Sequence, residues 1–365
     1  MLIRKFKQVL VTSMVLFMAT SAYAEWDSCC PDFDACASEW CCGRDAEIYA
    51  DFLYWQTGVG GLEFARAEGI GASATTPVTT NGEIFDVDCS YDPGVRVGLI
   101  MDLCKCNWDF YADWTYLYER YGASKTQEIE SSGLVSPGLV TLIYNQNDLD
   151  PNRVQTARGN WDNRLQVLNA GFGRTFDACG CFLFRPHFGI KATWQTMKTR
   201  IVYDKTTNIF AQNINRTTMS FRTDFDGVGL RGGFDTSWVL NNCIRVVGNV
   251  AMSAVWSDLC LSRKDFFQVV QNDGQIVTDV NNIDIKQNDC ALIPVLELLF
   301  GVRFDTCICC EYPAYVMLGW ENQVWFDLNR MILLQNFSSD ENNIQFGPVG
   351  NVHYQGLVVR AGFGF

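Results

Sequence analysis

The chain has 365 residues, of which 48% are hydrophobic and 13% aromatic, and only 19% carry a charge. This composition excludes a disordered chain, which would have few aromatic residues and a high charge density. The net charge of −13 argues against a nucleic-acid partner, because neutralising phosphates requires a basic face. Sixteen Cys are too many for an ordinary reduced enzyme and too scattered for one zinc module.

The first 24 residues have the three parts of a secretory signal peptide. A basic start ends at Lys7, an apolar stretch covers 9–19, and an Ala-x-Ala exit ends at Ala24. The apolar stretch is well short of the ~20 residues that span a bilayer, which favours cleavage after Ala24 over a membrane anchor. We therefore expect an extracytoplasmic chain whose thiols can oxidise.

Beyond the signal peptide, apolar and polar residues alternate over stretches of ten or more positions, which predicts β-strands. In 107–118, for example, Trp, Phe and Tyr fall on one face, and Asp109 and Asp113 on the other. The phase of the alternation is ambiguous in 163–176 and 218–239. The ten predicted strands are 46–56, 94–103, 107–118, 163–176, 182–196, 218–239, 244–256, 292–305, 314–328 and 356–365.

The strand length distinguishes between two all-β architectures. Strands of soluble sandwiches are usually about 5–6 residues long. The strands predicted here are about twice that length and are flanked by Trp and Tyr, as transmembrane strands are. Every backbone polar group must be paired in hydrocarbon, so we predict a closed antiparallel transmembrane β-barrel. Hairpins within the long connections, above all at 139–144, would raise the strand number from ten to 12–16.

The connections alternate in length, which predicts the orientation in the membrane. Outer-membrane barrels have short periplasmic turns and long external loops. The short turns are 104–106, 177–181, 241–243 and 305–310, and the long loops are about 58–90, 119–160, 201–217, 258–289 and 329–350. The predicted organisation is a cleaved signal peptide over 1–24, a Cys-rich periplasmic segment over 25–45 and a barrel over 46–365.

The cysteines concentrate on one predicted side of the membrane. Thirteen lie on the periplasmic side: Cys29, Cys30, Cys36, Cys41, Cys42, Cys104, Cys106, Cys179, Cys181, Cys243, Cys307, Cys309 and Cys310. Cys89, Cys260 and Cys290 flank external loops, and the simplest pairing there joins Cys260 to Cys290. Because thirteen is odd, one periplasmic thiol is left free, bonds another chain or bonds Cys89. Two interpretations stay open: staples within the chain, and crosslinks between envelope proteins.

The alternation also places charged side chains on the lumen face. These are Arg96, Arg185, Lys191, Arg245, Arg303, Arg360, Asp51, Asp109, Asp113, Glu297 and Glu321. Acidic residues concentrate over 47–113 and basic residues over 164–245, so we expect opposed charges and a transverse field in a water-filled lumen. The alternative is that the charges pair and plug a narrow barrel, as a ten-strand count would favour. Neither of the two His has a spaced catalytic partner, so we expect no enzyme activity, cofactor or metal.

The carboxyl end carries the most specific single feature. Residues 357–365 alternate apolar and small or polar side chains and end in Phe365. This resembles the recognition strand of Gram-negative outer-membrane proteins, which implies the barrel-assembly machinery and outer-membrane lipid as partners.

Three segments resemble the MOMP-like outer-membrane proteins of Legionella and the environmental relatives of the chlamydiae. They are the strand 46–55, the turn and strand 106–116, and the terminal 361–365, which follow a signal peptide and a Cys-rich amino end. The resemblance implies a bacterial outer-membrane porin for passive diffusion of small hydrophilic solutes and ions. It also implies disulfide links to further copies or to other Cys-rich envelope proteins. The alternative is a structural envelope protein or adhesin without channel activity.

Overall fold

All regular secondary structure in the described residues is β-strand. The computed structural model describes residues 46–67, 83–104, 107–126, 139–142, 153–178, 181–206, 214–241, 243–270, 275–308, 312–337 and 341–365. Over these ranges there is no helix long and apolar enough to cross a membrane. The predicted signal peptide and the Cys-rich segment 25–45 lie outside the described residues.

Ten long strands form one sheet, and five short strands accompany it. The long strands are β1 (Ala46–Val59), β4 (Tyr91–Cys104), β5 (Trp108–Thr126), β8 (Thr156–Arg174), β10 (Phe182–Thr206), β11 (Ile214–Asn241), β12 (Ile244–Val270), β13 (Ile276–Ile308), β14 (Tyr312–Phe337) and β15 (Glu341–Gly364). The short strands are β2 (Ala65–Ala67), β3 (Ile84–Phe85), β6 (Leu139–Thr141), β7 (Arg153–Val154) and β9 (Phe176–Asp177).

The long strands close into a barrel. Each pairs antiparallel with the next along the chain, and β15 returns to pair with β1. The closure extends to the last residue: the Ala46 amide donates to the Phe365 carbonyl at 3.0 Å, and the Phe365 amide donates back at 2.9 Å. The predicted closed antiparallel barrel is confirmed with ten strands, and β9 pairs with the start of β10 as a short extra strand.

The two faces of the barrel strands differ as the alternation predicts. On β12, outward positions such as Met252 and Trp256 are exposed, whereas inward positions such as Ser253 and Val255 are buried. An apolar belt covers the outer surface, and it includes Ile190, Leu230, Met252, Phe300, Val302, Val316 and Leu318. Exposed aromatic residues border the belt: Tyr54, Trp194, Trp256 and Trp320 on the external side, and Phe176, Trp238, Tyr312 and Phe365 on the periplasmic side.

Three of the predicted external loops are largely strand instead. Strands β10 to β15 have 24–33 residues, whereas crossing the membrane takes about 9–11. Much of the ranges 201–217, 258–289 and 329–350 therefore continues the barrel wall beyond the membrane. Outward residues there contact water instead of lipid, so the apolar alternation fades although the backbone pairing continues. Asp258 and Cys260, both exposed, follow Trp256 on the outer face of β12.

A second, four-stranded sheet lies at the external end and has the order β3-β2-β6-β7. It includes part of the segment 139–144, the main candidate for a further barrel hairpin. Strand β6, however, pairs with β2 and β7 and not with a barrel strand. The buried side chains Phe64, Leu139 and Val154 of this region belong to one apolar cluster with Ile201 and Phe221 of the barrel wall. The small sheet therefore packs against the inner face of the barrel, and the count of barrel strands in the described residues stays at ten.

The lipid-facing belt leads to a prediction about the free energy of unfolding. Met252 lies in the middle of the outward face of β12, and its side chain is 63% exposed. We expect Met252→Arg to lower the free energy of unfolding by about 2–4 kcal/mol, because it places a cation near the bilayer midplane. The measurement is urea unfolding of the barrel in phospholipid vesicles, followed by Trp fluorescence.

The matched control is Asn288→Arg, on the outward face of β13 beyond the apolar belt. Asn288 lies opposite Cys260, which is four residues beyond the belt residue Trp256. A similar loss of stability in both variants would contradict the assignment of the belt.

Candidate functional site

The inward side chains form layers along the barrel axis, and β1 gives their order. Glu47, Tyr49 and Asp51 lie nearest the periplasmic end, Leu53 and Trp55 follow, and Thr57 is next. The interior is thus polar, then apolar, then polar again from the periplasmic side outward.

A vestibule occupies the periplasmic part of the interior. It is a cavity of about 890 Å³ that reaches from the periplasmic turns to the middle of the barrel. Asp102, Cys243 and Cys307 line its mouth, and Arg96 and Glu297 line its deep end.

The deep end of the vestibule contains two charged clusters, and the first is centred on Asp51. Arg96 bonds Asp51 at 3.2 Å and Glu321 at 2.9 Å, and both carboxylates are almost fully buried. Arg360 reaches the other oxygen of Asp51 at 2.7 Å. Two guanidinium groups and two carboxylates therefore compensate one another, as groups removed from water require.

The second cluster connects strands β5, β10, β11 and β13. Glu297 pairs with Lys191 and, at 2.8 Å, with Arg231. Arg185 pairs with Asp109 and, at 2.5 Å, with Asp235.

His187 lies between these two groups of ion pairs. Its Nδ1 is 3.4 Å from the Tyr111 hydroxyl and 3.3 Å from the Arg231 guanidinium, and its Nε2 is 3.3 Å from the Asn249 amide nitrogen. At the mouth, Arg245 and Arg303 share Asp305, at 2.9 and 2.7 Å.

All eleven charged residues proposed from the alternation face the interior. Nine line the vestibule, whereas Lys191 and Asp51 are buried behind its surface. The expected opposition of acidic and basic walls is wrong, because charges of both signs are interleaved. Arg96 lies between Asp51 and Glu321, and Glu297 lies between two cations.

Sequence reasoning did not single out Arg231 or Asp235. Both lie on β11, in the stretch 218–239 whose phase was ambiguous. Glycines occupy four positions of that stretch, so neither face has a continuous apolar row. The ion pairs to β10 and β13 are what identify the inward face of β11.

An apolar layer closes the vestibule on its external side. It contains the fully buried side chains of Leu53, Trp55, Leu117, Leu165, Phe225, Val255, Ile293 and Trp325. Nine of the ten barrel strands contribute to this cluster. The remaining strand, β4, has Gly94 at this level, and Leu117 fills the space: a Cβ at Gly94 would lie 3.0 Å from Leu117 Cδ1.

A buried polar network lies on the external side of the apolar layer. Glu119 accepts hydrogen bonds from Thr57 at 2.6 Å and from Asn163 at 2.9 Å. Gln195 donates to Asn163 at 2.9 Å and to the Tyr354 hydroxyl at 2.6 Å. The small external sheet packs beyond this network, in a second buried apolar cluster.

Some of the described cysteines are disulfide-bonded, and others are free thiols. Cys181 and Cys307, both at the periplasmic rim, are disulfide-bonded. Cys243, on the same rim, is a free and half-buried thiol. Cys89 is also free, and burial, with the charges of Glu119 and Asp86, raises the pKa of its thiol to about 12. The side chain of Cys104 and all of Cys29, Cys30, Cys36, Cys41, Cys42, Cys106, Cys179, Cys309 and Cys310 lie outside the described residues.

The expected bond between Cys260 and Cys290 is absent, because both are free thiols. Cys260 lies opposite Asn288, and Cys290 lies opposite Asp258. The two thiols are therefore diagonal neighbours on the outer face. Diagonal Cα atoms are about 7–8 Å apart, beyond the usual reach of a disulfide. Each thiol instead donates to the residue opposite, at 2.7 Å for Cys260 and 3.3 Å for Cys290.

A family model described as the Legionella pneumophila major outer membrane protein precursor matches residues 41–356. The chain belongs to this family. The resemblance seen in the sequence segments is thereby confirmed, and the family places the protein in the bacterial outer membrane. No curated protein matches the chain.

Several solved structures are similar to this member of the major outer membrane protein family. The outer membrane protease OmpT of Escherichia coli is 9% identical, with 88% of this chain and 96% of that chain covered and a TM-score of 0.36. The toluene transporter TodX of P. putida is 9% identical, with 88% and 89% covered and a TM-score of 0.27. A Pseudomonas aeruginosa FadL homologue is 8% identical, with the same coverage and a TM-score of 0.21.

The cluster around Glu297 makes a second stability prediction. We expect Glu297→Gln to destabilise the barrel by about 3–5 kcal/mol, because it leaves the buried Lys191 and Arg231 without their carboxylate. The measurement is again urea unfolding in vesicles.

The control for this variant is Asp224→Asn, which breaks a pair with Arg222 whose side chain is 49% exposed. We expect less than about 1 kcal/mol there, because water screens exposed pairs. Equal effects in the two variants would show that burial of the Glu297 cluster does not contribute to stability.

Proposed function

We propose that this protein is a structural barrel of the outer envelope that is sealed against free diffusion and carries cysteines on its periplasmic rim. The observation that carries the proposal is the apolar layer formed by Leu53, Trp55, Phe225, Trp325 and their neighbours. Barrels of about eight strands are just wide enough for side chains to fill, and those of 16–18 strands leave an aqueous channel. Ten strands lie near the filled end of that range.

The position of the sealing side chains indicates that the layer is a permanent seal and not a gate that opens. They project from barrel strands that are hydrogen-bonded on both sides, and not from a loop that swings away. Trp55 and Trp325 are each at most 1% exposed. Opening the layer requires moving several such side chains together, from different strands of the closed sheet.

The cysteines on the periplasmic rim support the proposed structural role in the envelope. Two rim cysteines, Cys181 and Cys307, are bonded, which fits an oxidising compartment. Cys243 is a free thiol at the mouth of the vestibule and is suited to bond a second chain.

A second candidate is the diffusion porin that the family resemblance implies. The specific observation in its favour is the charged vestibule of about 890 Å³ that opens toward the periplasm. As a channel it would need the apolar layer to open, and its charged wall would then bias ion passage.

Conductance separates the two candidates. We expect the refolded barrel to give no long-lived current steps in a planar bilayer, because the apolar layer excludes water and ions. A 16-stranded porin refolded in the same way is the positive control. Reproducible steps from the barrel, at a size that scales with salt concentration, would reject the sealed barrel and establish the porin.

The free rim thiol makes a further prediction about crosslinking. We expect disulfide-linked species in envelopes collected under thiol-blocking conditions, and we expect Cys243→Ser to remove the fraction formed through this residue. Non-reducing electrophoresis with immunodetection measures it. Cys260→Ser, on the external side, is the matched control and should leave the pattern unchanged. An unchanged pattern in Cys243→Ser would assign the rim cysteines to bonds within the chain.

A further inference from the structure

One carboxylate at the deep end of the vestibule has no cation of its own. Five cationic side chains face six carboxylates there: Arg96, Arg185, Lys191, Arg231 and Arg360 against Asp51, Asp109, Asp113, Asp235, Glu297 and Glu321. Five of the six carboxylates form ion pairs, and Asp113 forms none with any described residue. Asp113 is therefore the carboxylate of this set that has no direct ion pair.

Asn169 places a second acceptor beside Asp113. The two residues lie opposite each other on β8 and β5, and the Asn169 amide nitrogen donates to Asp113 Oδ1 at 2.9 Å. This hydrogen bond sets the orientation of the amide, so that the other atom of the group is the carbonyl oxygen. Asn169 is 7% exposed and lines the vestibule, yet its Oδ1 has no hydrogen-bond partner among the described residues. A buried acceptor without a partner is costly, which favours a donor at this position.

Asp113, Asn169 and Tyr49 all line the vestibule, so the site borders the open cavity. Across the strand pair from Asp113 lies Gly98, which has no side chain of its own. The ring of Tyr49 covers it: a Cβ at Gly98 would lie 2.2 Å from Tyr49 Cζ. The site is therefore bordered by an aromatic ring, a carboxylate and an amide oxygen. The vestibule volume of about 890 Å³ is within the usual range for small-molecule sites.

The acceptor set selects the chemical class of the ligand. Asp113 offers two oxygens and Asn169 offers one, and a primary ammonium group has three N–H donors and a positive charge. A divalent metal is a poorer match, because Ca²⁺ takes 6–8 oxygen ligands and the described residues contain no cluster of three His, Cys, Asp or Glu side chains suited to a metal. We propose that Asp113 and Asn169 form a binding site for a primary ammonium group, so that the vestibule binds alkyl amines from the periplasm.

The test is isothermal titration of the full mature barrel in detergent micelles with 1,5-diaminopentane. We expect saturable binding, and binding at least about tenfold weaker for tetramethylammonium, which has the charge but no N–H donor. Asp113→Asn and Asn169→Ser should each weaken diaminopentane binding by about tenfold or more. Asp102→Asn removes a carboxylate at the mouth of the same cavity and should leave the affinity within about twofold.

Three outcomes would overturn the site. They are no binding at millimolar diaminopentane, equal binding of tetramethylammonium, and equal weakening in all three variants, which would indicate general attraction by an acidic cavity. Heat-modifiable electrophoretic migration verifies that each variant is folded. If Asp113→Asn does not fold, Asn169→Ser decides, because it retains the Asp113 carboxylate and removes the amide group with its oxygen. The result is independent of the conductance measurement, since a sealed barrel and a porin both keep the vestibule.

Discussion

The pairing of every backbone hydrogen bond in hydrocarbon is the constraint on which the rest of this structure depends. It requires that β15 return to β1, and the chain meets this requirement as far as its last residue, where Phe365 and Ala46 exchange two hydrogen bonds. Closure with ten strands fixes a narrow barrel. A narrow barrel brings inward side chains from opposite walls into contact, so the interior is packed rather than water-filled over much of its length.

Packing determines the arrangement of charge. A carboxylate or guanidinium that is removed from water needs a partner, and in a narrow interior the partners come from across the barrel as well as from the adjacent strand. Arg96 bonds Asp51 on the adjacent strand and Glu321 across the interior. Interleaved pairs of this kind neutralise the wall. Asp113 lies outside these ion pairs and accepts a hydrogen bond from Asn169.

The two ends of the barrel have different environments, and the cysteines follow this difference. Rim cysteines Cys181 and Cys307 lie where short turns bring neighbouring strands together, and both are bonded. On the external side, the wall continues as paired strand, which fixes Cys260 and Cys290 in a staggered register. Two cysteines at the two ends of a predicted loop suggest a disulfide, but the staggered register of β12 and β13 keeps Cys260 and Cys290 too far apart to form one.

The sequence by itself determined the barrel, its strand alternation and its closing strand, because each of these depends on local period-two patterning. The inward direction of residues such as Arg185 and Glu297 followed from the same pattern. Only the tertiary structure decided that the charges pair, that three loops are strand and that β11 turns Arg231 inward. These features depend on register and on contacts between residues far apart in the chain, such as Arg96 and Glu321, 225 positions apart. A pattern that repeats every two residues shows which face a side chain occupies, and it does not show which side chain it meets across the barrel.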